Sequence, residues 1–307
     1  MSLRLSSPNP RLLRTRVGRE ERRLIVAFLV PALLVTFGVV LIPLLEALWI
    51  SFHRYSLTTP GRPFIGLANY SSALVDPGFW AATWRTVYFT LVSTGLELVL
   101  GLMIALLLNE RFVGRGLLRA LVLVPWALPT IVNGMMWRWI FNADYGALNA
   151  ILLQLGLIKD YQAWLSSPWV AMNCVIFADV WKMTPLVAML LLANLQVIPA
   201  ELYEAASIDG AGPLGRFRYV TLPSIRSGIL VSLVTRTIEA FKVFDIIFIM
   251  TRSGPANGTQ TIAYYAYTET FTALQFGKGA ALSYLIAVFI TLLALVYFRL
   301  IREEVQA

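Results

Sequence analysis

Cysteine and histidine are nearly missing from this chain of 307 residues, which has one of each. With Cys174 as the lone thiol, no disulfide can close within the chain, and a single thiol in an apolar run is ordinarily a small hydrophobe. His53 stands beside Arg54 at the end of such a run, which argues against a metal centre built from Cys and His ligands. Charge is scarce too: 14% of residues are charged and 58% are hydrophobic. A soluble domain keeps about a quarter of its residues charged to solvate its surface. The outside of this protein therefore faces lipid over much of its area. The formal charge of +8 lies in tails and at the ends of apolar runs, where basic residues act as topology signals. No nucleic-acid surface is expected.

Catalytic signatures are lacking as well. A phosphate-binding loop needs glycines, Lys and Ser or Thr at fixed spacing. The nearest match, Gly277-Lys278-Gly279, lacks the leading glycine and the hydroxyl residue. No paired carboxylates and no Ser/His/Asp set occupy a plausible site. The chain by itself is read as a non-enzyme.

What is present is a set of six apolar runs, roughly 24–49, 86–108, 117–140, 168–192, 225–250 and 279–300. Each approaches the ~20 residues that cross a bilayer as helix. The alternation expected of barrel strands is absent, and backbone groups in lipid must be satisfied internally, so these are helices. The expected fold is an all-α integral membrane protein with six transmembrane helices. Residues 1–23 form a basic tail, 24–300 one transmembrane domain and 301–307 a C-terminal tail. The first run is too long for a signal peptide and lacks a cleavage site, so it is expected to be retained.

Arginines divide unevenly between the two sides. One side collects those of the N-terminal tail, then Arg111, Arg115, Arg119, Arg216, Arg218, Arg226, Arg299 and Arg302. The other has Arg54, Arg62, Arg85, Arg138, Lys159, Arg252 and Lys278. The first group is about twice the second, which places both termini and the loop 201–223 in the cytoplasm. Trp49, Trp80, Trp84, Trp137, Trp164 and Trp169 gather near run ends, as interface anchors do.

Charges inside the runs stand out. Arg236, Glu239, Lys242 and Asp245 recur every third residue with alternating sign in the fifth, and Asp179 and Lys182 share that spacing in the fourth. Neighbours three apart on a helix pair, and charges at membrane depth turn toward a protein interior or a wet cavity. Helix–helix ion pairing and lining of a substrate pathway are both open. Pro125, Pro129, Asn133 and Gly134 interrupt the third run, and Pro185 the fourth. Kinks are expected there.

The loop ELYEAASIDGAGPLGRFRYVTLP, 201–223, is a long interruption of polar and small residues between two apolar runs of the second half. Pro199 suits a helix start, Glu201 and Glu204 favour its positive end, and Gly210 offers a C-cap before Gly212-Pro213. A helix over 199–209 and a second, basic one over 214–221 follow. Ala205 and Ala206 leave room for another surface to approach closely.

Glu204-Ala205-Ala206, then Gly210, Val220 and Leu222-Pro223 resemble the EAA motif of binding-protein-dependent ABC importer permeases, with Val where Ile is usual. Val124-Pro125-Trp126, Asn149 and the stretch 244–251 are similar to the sugar branch, of the maltose and glycerol-3-phosphate type. The resemblance implies a type I importer permease. Its coupling loop would be 195–224, with Glu204, Ala205, Ala206, Asp209, Gly210, Leu222 and Pro223 meeting an ATPase. It also implies a second homologous permease, two ATPase subunits that hold the ATP and Mg, and an extracytoplasmic solute-binding protein, in a bacterial or archaeal cell (inner) membrane. This chain would bind no cofactor. A sugar is the expected cargo. Glycerol-3-phosphate or another polar solute is the alternative, and an ion-coupled carrier, which would use Glu239, Lys242 and Asp245, a more distant one.

Overall fold

The computed structural model describes residues 19–306, so residues 1–18 of the expected basic tail lie outside the described residues. By its contacts the chain falls into two units, 1–50 and 51–307. The first holds α1 (Arg19–Val35), a π-helical stretch (Thr36–Leu41) and α2 (Ile42–Ser51), whose last residue opens the second unit. Apolar side chains cover this helix on all sides, as suits a rod bathed in lipid.

The second unit is helical throughout its regular elements among the described residues, apart from an isolated bridge between His53 and Phe64. A short α3 (Ala68–Val75) leads into the long α4 (Pro77–Asn109). The Asp76 side chain accepts from the Gly78 N–H at 2.8 Å, and Pro77 opens the first turn, where its missing donor costs nothing. Asp76 also accepts from Tyr265 Oη at 2.5 Å and Lys278 Nζ at 3.2 Å, tying the start of α4 to later elements. These donors, Tyr265 foremost, hold its carboxyl below the ordinary value, while burial, and next the same bond, push the Tyr265 phenol upward.

The third expected span is two helices, α5 (Arg115–Ala127) and α6 (Thr130–Ile140), bent by 90°. Pro129 sits at the N-cap of α6 with ψ 141°, outside helical geometry, so the chain turns sharply where a kink was expected. After α7 (Ala147–Gln154) comes α8 (Pro168–Leu195), which passes Pro185 without a break. The arm follows: α9 (Ala200–Ile208), α10 (Pro213–Arg216), a π-helical turn (Phe217–Thr221) and α11 (Leu222–Ser224).

The fifth expected span is also divided, into α12 (Arg226–Phe241) and α13 (Asp245–Met250). The gap exposes a carbonyl that the membrane could not satisfy, and Thr261 Oγ1 donates to Val243 O at 2.9 Å to do so. A loop, α14 (Ile262–Tyr267) and a π-helical turn (Thr268–Thr272) precede α15 (Phe276–Gln306). Four helices among the described residues are long and apolar enough to cross a membrane, five with the bent pair taken as one span. The remaining expected span is the interrupted α12–α13.

The centre of this unit is the α4–α8 pair, which runs in parallel. Phe89, Val175, Ile176 and Ala178 form its middle with Ile246 and Ile247 of α13. Leu108, Leu191, Leu195 and Ile225 close its far end. The helices approach closely at Gly101, where a Cβ would stand 2.8 Å from Val187 Cγ1 and 3.1 Å from Ala188 N. A helix backbone cannot yield as a flexible side-chain tip does. Gly101→Ala is therefore expected to destabilise by about 1–3 kcal/mol, the range for overpacking. A thermal melt of the purified variant matching that of the wild type would contradict this.

Candidate translocation and coupling sites

Arg236 is the hub of the charge set. One turn of α12 after Ser232, its guanidinium is 3% exposed and meets Glu97 of α4, which is 0% exposed. Nε donates to Glu97 Oε2 at 2.5 Å and Nη2 to Oε1 at 2.9 Å, a two-pronged contact. Nη2 also donates to Asp179 Oδ2 of α8 at 3.1 Å, and Nη1 to Glu239 Oε2 at 2.8 Å. One cation thus joins three helices. Burying ions is costly, and such a group persists only when partners satisfy it. The planar fork of Arg gives Glu97 two parallel donors and keeps others for Asp179 and Glu239, a bidentate geometry that the point charge of a Lys does not offer.

Of the charges picked out by spacing, Asp179, Arg236 and Glu239 come together. Lys182 points elsewhere: its Nζ donates to Thr130 Oγ1 at 2.9 Å, on the first turn of α6 just beyond the 90° break. Lys242 caps the end of α12 and Asp245 begins α13, and both are exposed. The regular three-residue spacing therefore does not make one site. Glu97 was not reached by that spacing argument. Its signal was a lone glutamate between Leu96 and Leu98, an ionisable group in a span that needs a partner.

In the arm, α9 has the expected limits within one residue, with Pro199 as N-cap. Its end is closed by two bonds, Gly210 N to Ser207 O at 3.1 Å and Ala211 N to Ala206 O at 2.9 Å. With Gly210 at φ 79°, this is the Schellman closure, which needs a left-handed residue just past the cap at Asp209. Tyr203 Oη and Thr221 Oγ1 are 3.0 Å apart, pinning α9 to the π-helical turn within the second helix, which runs on from α10 into α11. Glu204 and Ala205 are exposed and Ala206 is half-buried, while Leu222 and Pro223 are exposed in α11. Leu202, Ile208 and Leu214 also present large apolar surface, 87% of Ile208 being exposed.

A polytopic helical bundle with two broken spans, a buried charge hub and a short helical arm at one end is a membrane subunit of a transporter in its architecture. The family model for the binding-protein-dependent transport system inner membrane component matches residues 97–303, and the chain belongs to that family. It is 42% identical to the trehalose/maltose transport system permease protein MalF of Thermococcus litoralis, over 94% of this chain and 96% of that one. It is 38% identical to the sulfoquinovosyl glycerol transport system permease protein SmoG of Agrobacterium fabrum, over 92% of each. A crystal structure of a bacterial ABC transporter involved in the import of the acidic polysaccharide alginate shares the fold. It aligns with a TM-score of 0.82 at 21% identity, over 92% of this chain and 96% of that one. The chain is thus a multi-pass permease subunit of an ABC importer, not an enzyme.

Proposed function

We propose that this permease moves a sugar or glycoside, delivered by an extracytoplasmic binding protein, into a bacterial or archaeal cell. The observation that supports the cargo is its identity of 42% and 38% to permeases named for trehalose/maltose and sulfoquinovosyl glycerol. In this reading 24–300 is one permease domain and half of the pathway, the other half being a second homologous permease. Both termini and the arm lie in the cytoplasm, as the arginine distribution suggests. Two ATPase subunits hold ATP and Mg and dock on the arm, whose exposed Glu204, Ala205 and Ile208 offer a small-residue surface with an apolar rim.

Asp179, Lys182, Arg236, Glu239, Lys242 and Asp245 are proposed neighbours of the pathway, with different duties. Arg236 and its carboxylates hold α4, α8 and α12 in register. Lys182 stands at the broken α5–α6 pair, where freed backbone groups and polar side chains suit a solute rich in hydroxyls. Coupling requires that ATP and the loaded binding protein favour opposite conformations.

Reconstitution tests this. The chain with its permease, ATPase and binding-protein partners is expected to accumulate a labelled sugar in vesicles only with ATP inside the compartment that holds the ATPases. Uptake by this chain alone, driven by an ion gradient, would overturn the reading. Lys182→Ala is expected to weaken apparent sugar affinity about tenfold, roughly 1.4 kcal/mol, while the melting temperature stays near that of the wild type. A change in stability alone would assign Lys182 to packing.

A further inference from the structure

The end of the α4–α8 pair opposite the arm has a feature that sugar transport leaves unused. Tyr88 Oη donates to Asn173 Oδ1 at 2.9 Å, and the Tyr88 ring lies 4.7 Å from that of Trp169. Beside them a cavity of about 390 Å³ is walled by Trp84, Tyr88, Pro168, Trp169 and Met172, and Arg85 is the charged residue of its lining. Arg85 is half-buried, and among the described residues no side chain or carbonyl hydrogen-bonds or pairs with its guanidinium. A partly desolvated cation without a counter-charge is unfavourable, so an anion belongs there.

The walls narrow the choice. Trp84 and Trp169 remain 71% and 63% exposed, at the level where tryptophans anchor to lipid headgroups. Further along the same stripe of α4, Val92, Leu96, Leu100 and Ile104 line an apolar groove of about 570 Å³ together with Phe177 and Trp181 of α8. At 1.5 Å per residue, 92–104 extends about 18 Å, a length suited to an acyl chain. Cation above and groove below, on one pair of helices, match an amphiphile and not a free anion. A helix of another chain is the rival occupant of the groove, and loss of a protein subunit in place of lipid would reveal it.

We propose that this is a binding site for one phospholipid. Arg85 takes the phosphodiester, the Trp84 and Trp169 rings flank the headgroup, and an acyl chain lies along 92–104. The guanidinium offers two parallel donors to phosphate oxygens.

Native mass spectrometry on the complex that the tagged chain brings out of the membrane in mild detergent tests this. The wild type is expected to retain a phospholipid that Arg85→Gln loses at least tenfold and that Arg85→Lys keeps in part. Leu100→Trp, which blocks the groove and leaves Arg85 in place, is expected to lower retention as well. Phosphatidylglycerol added back should restore the bound species in the wild type, and inorganic phosphate at the same concentration should not. Equal retention in wild type and Arg85→Gln overturns the proposal. So does a bound inorganic phosphate without lipid, or loss of another protein subunit from Arg85→Gln with no change in lipid.

Discussion

Arg236→Met is expected to destabilise the folded bundle by about 3–5 kcal/mol, the range for removing one partner of a buried ion pair. The substitution leaves Glu97, fully buried, facing Asp179 with the shared guanidinium gone. Two carboxylates in one low-dielectric site repel, and neither retains a strong donor. A lower melting temperature of the detergent-solubilised protein measures the effect. Adding Glu97→Gln to the same chain should return part of the loss, because an amide needs no counter-charge. Glu239→Gln should change stability by less than about 1 kcal/mol, since Glu239 is 41% exposed and water screens its pair. An Arg236→Met protein that melts with the wild type would remove the hub from the account of this fold.

Glu204→Lys or Gly210→Asp is expected to lower ATP-driven uptake at least tenfold while the protein still inserts in the membrane. Each tenfold loss is about 1.4 kcal/mol of transition-state free energy. Glu204 is exposed on α9, so reversing its charge alters the surface and not the fold. Gly210 has φ 79° and open space around the position of a Cβ. A side chain there projects outward from the Schellman closure, into whatever lies against the arm, and the left-handed backbone adds about 1–2 kcal/mol of strain at the cap. Transport assays with ATPase copurification separate the two steps: the proposal fails if both variants import normally with the ATPase bound.

How far the sequence reaches depends on the kind of signal. Length of apolar run located the crossing segments, because bilayer thickness imposes it. The proline pair Pro125 and Pro129 foretold a kink in the third, but not its depth of 90°, nor that α6 would then pack against α13. The gap at 242–244 has neither Pro nor Gly to announce it. It forms because Thr261, eighteen positions on, supplies the donor that the freed Val243 carbonyl needs. Such a cause is tertiary and leaves no local mark. The arm was legible at Gly210, where a left-handed position demands glycine, and not over 217–221, whose π-helical winding no residue type dictates. The charge hub shows the same divide. Spacing exposed Arg236, Glu239 and Asp179, but Glu97 lies 139 positions from Arg236 and stands alone in its span.

The unbroken course of α8 past Pro185 has a mechanical meaning. Its 28 residues form a rod about 42 Å long, and its last residue, Leu195, is separated from the start of α9 by only the segment 196–199. A rod of that length converts a tilt of a few degrees at the arm into a displacement of several ångström at Pro168. Trp169 and the wall it gives to the Arg85 cavity ride on that far end. On the proposed docking of an ATPase at the arm and of a lipid at Arg85, one lever would link the two.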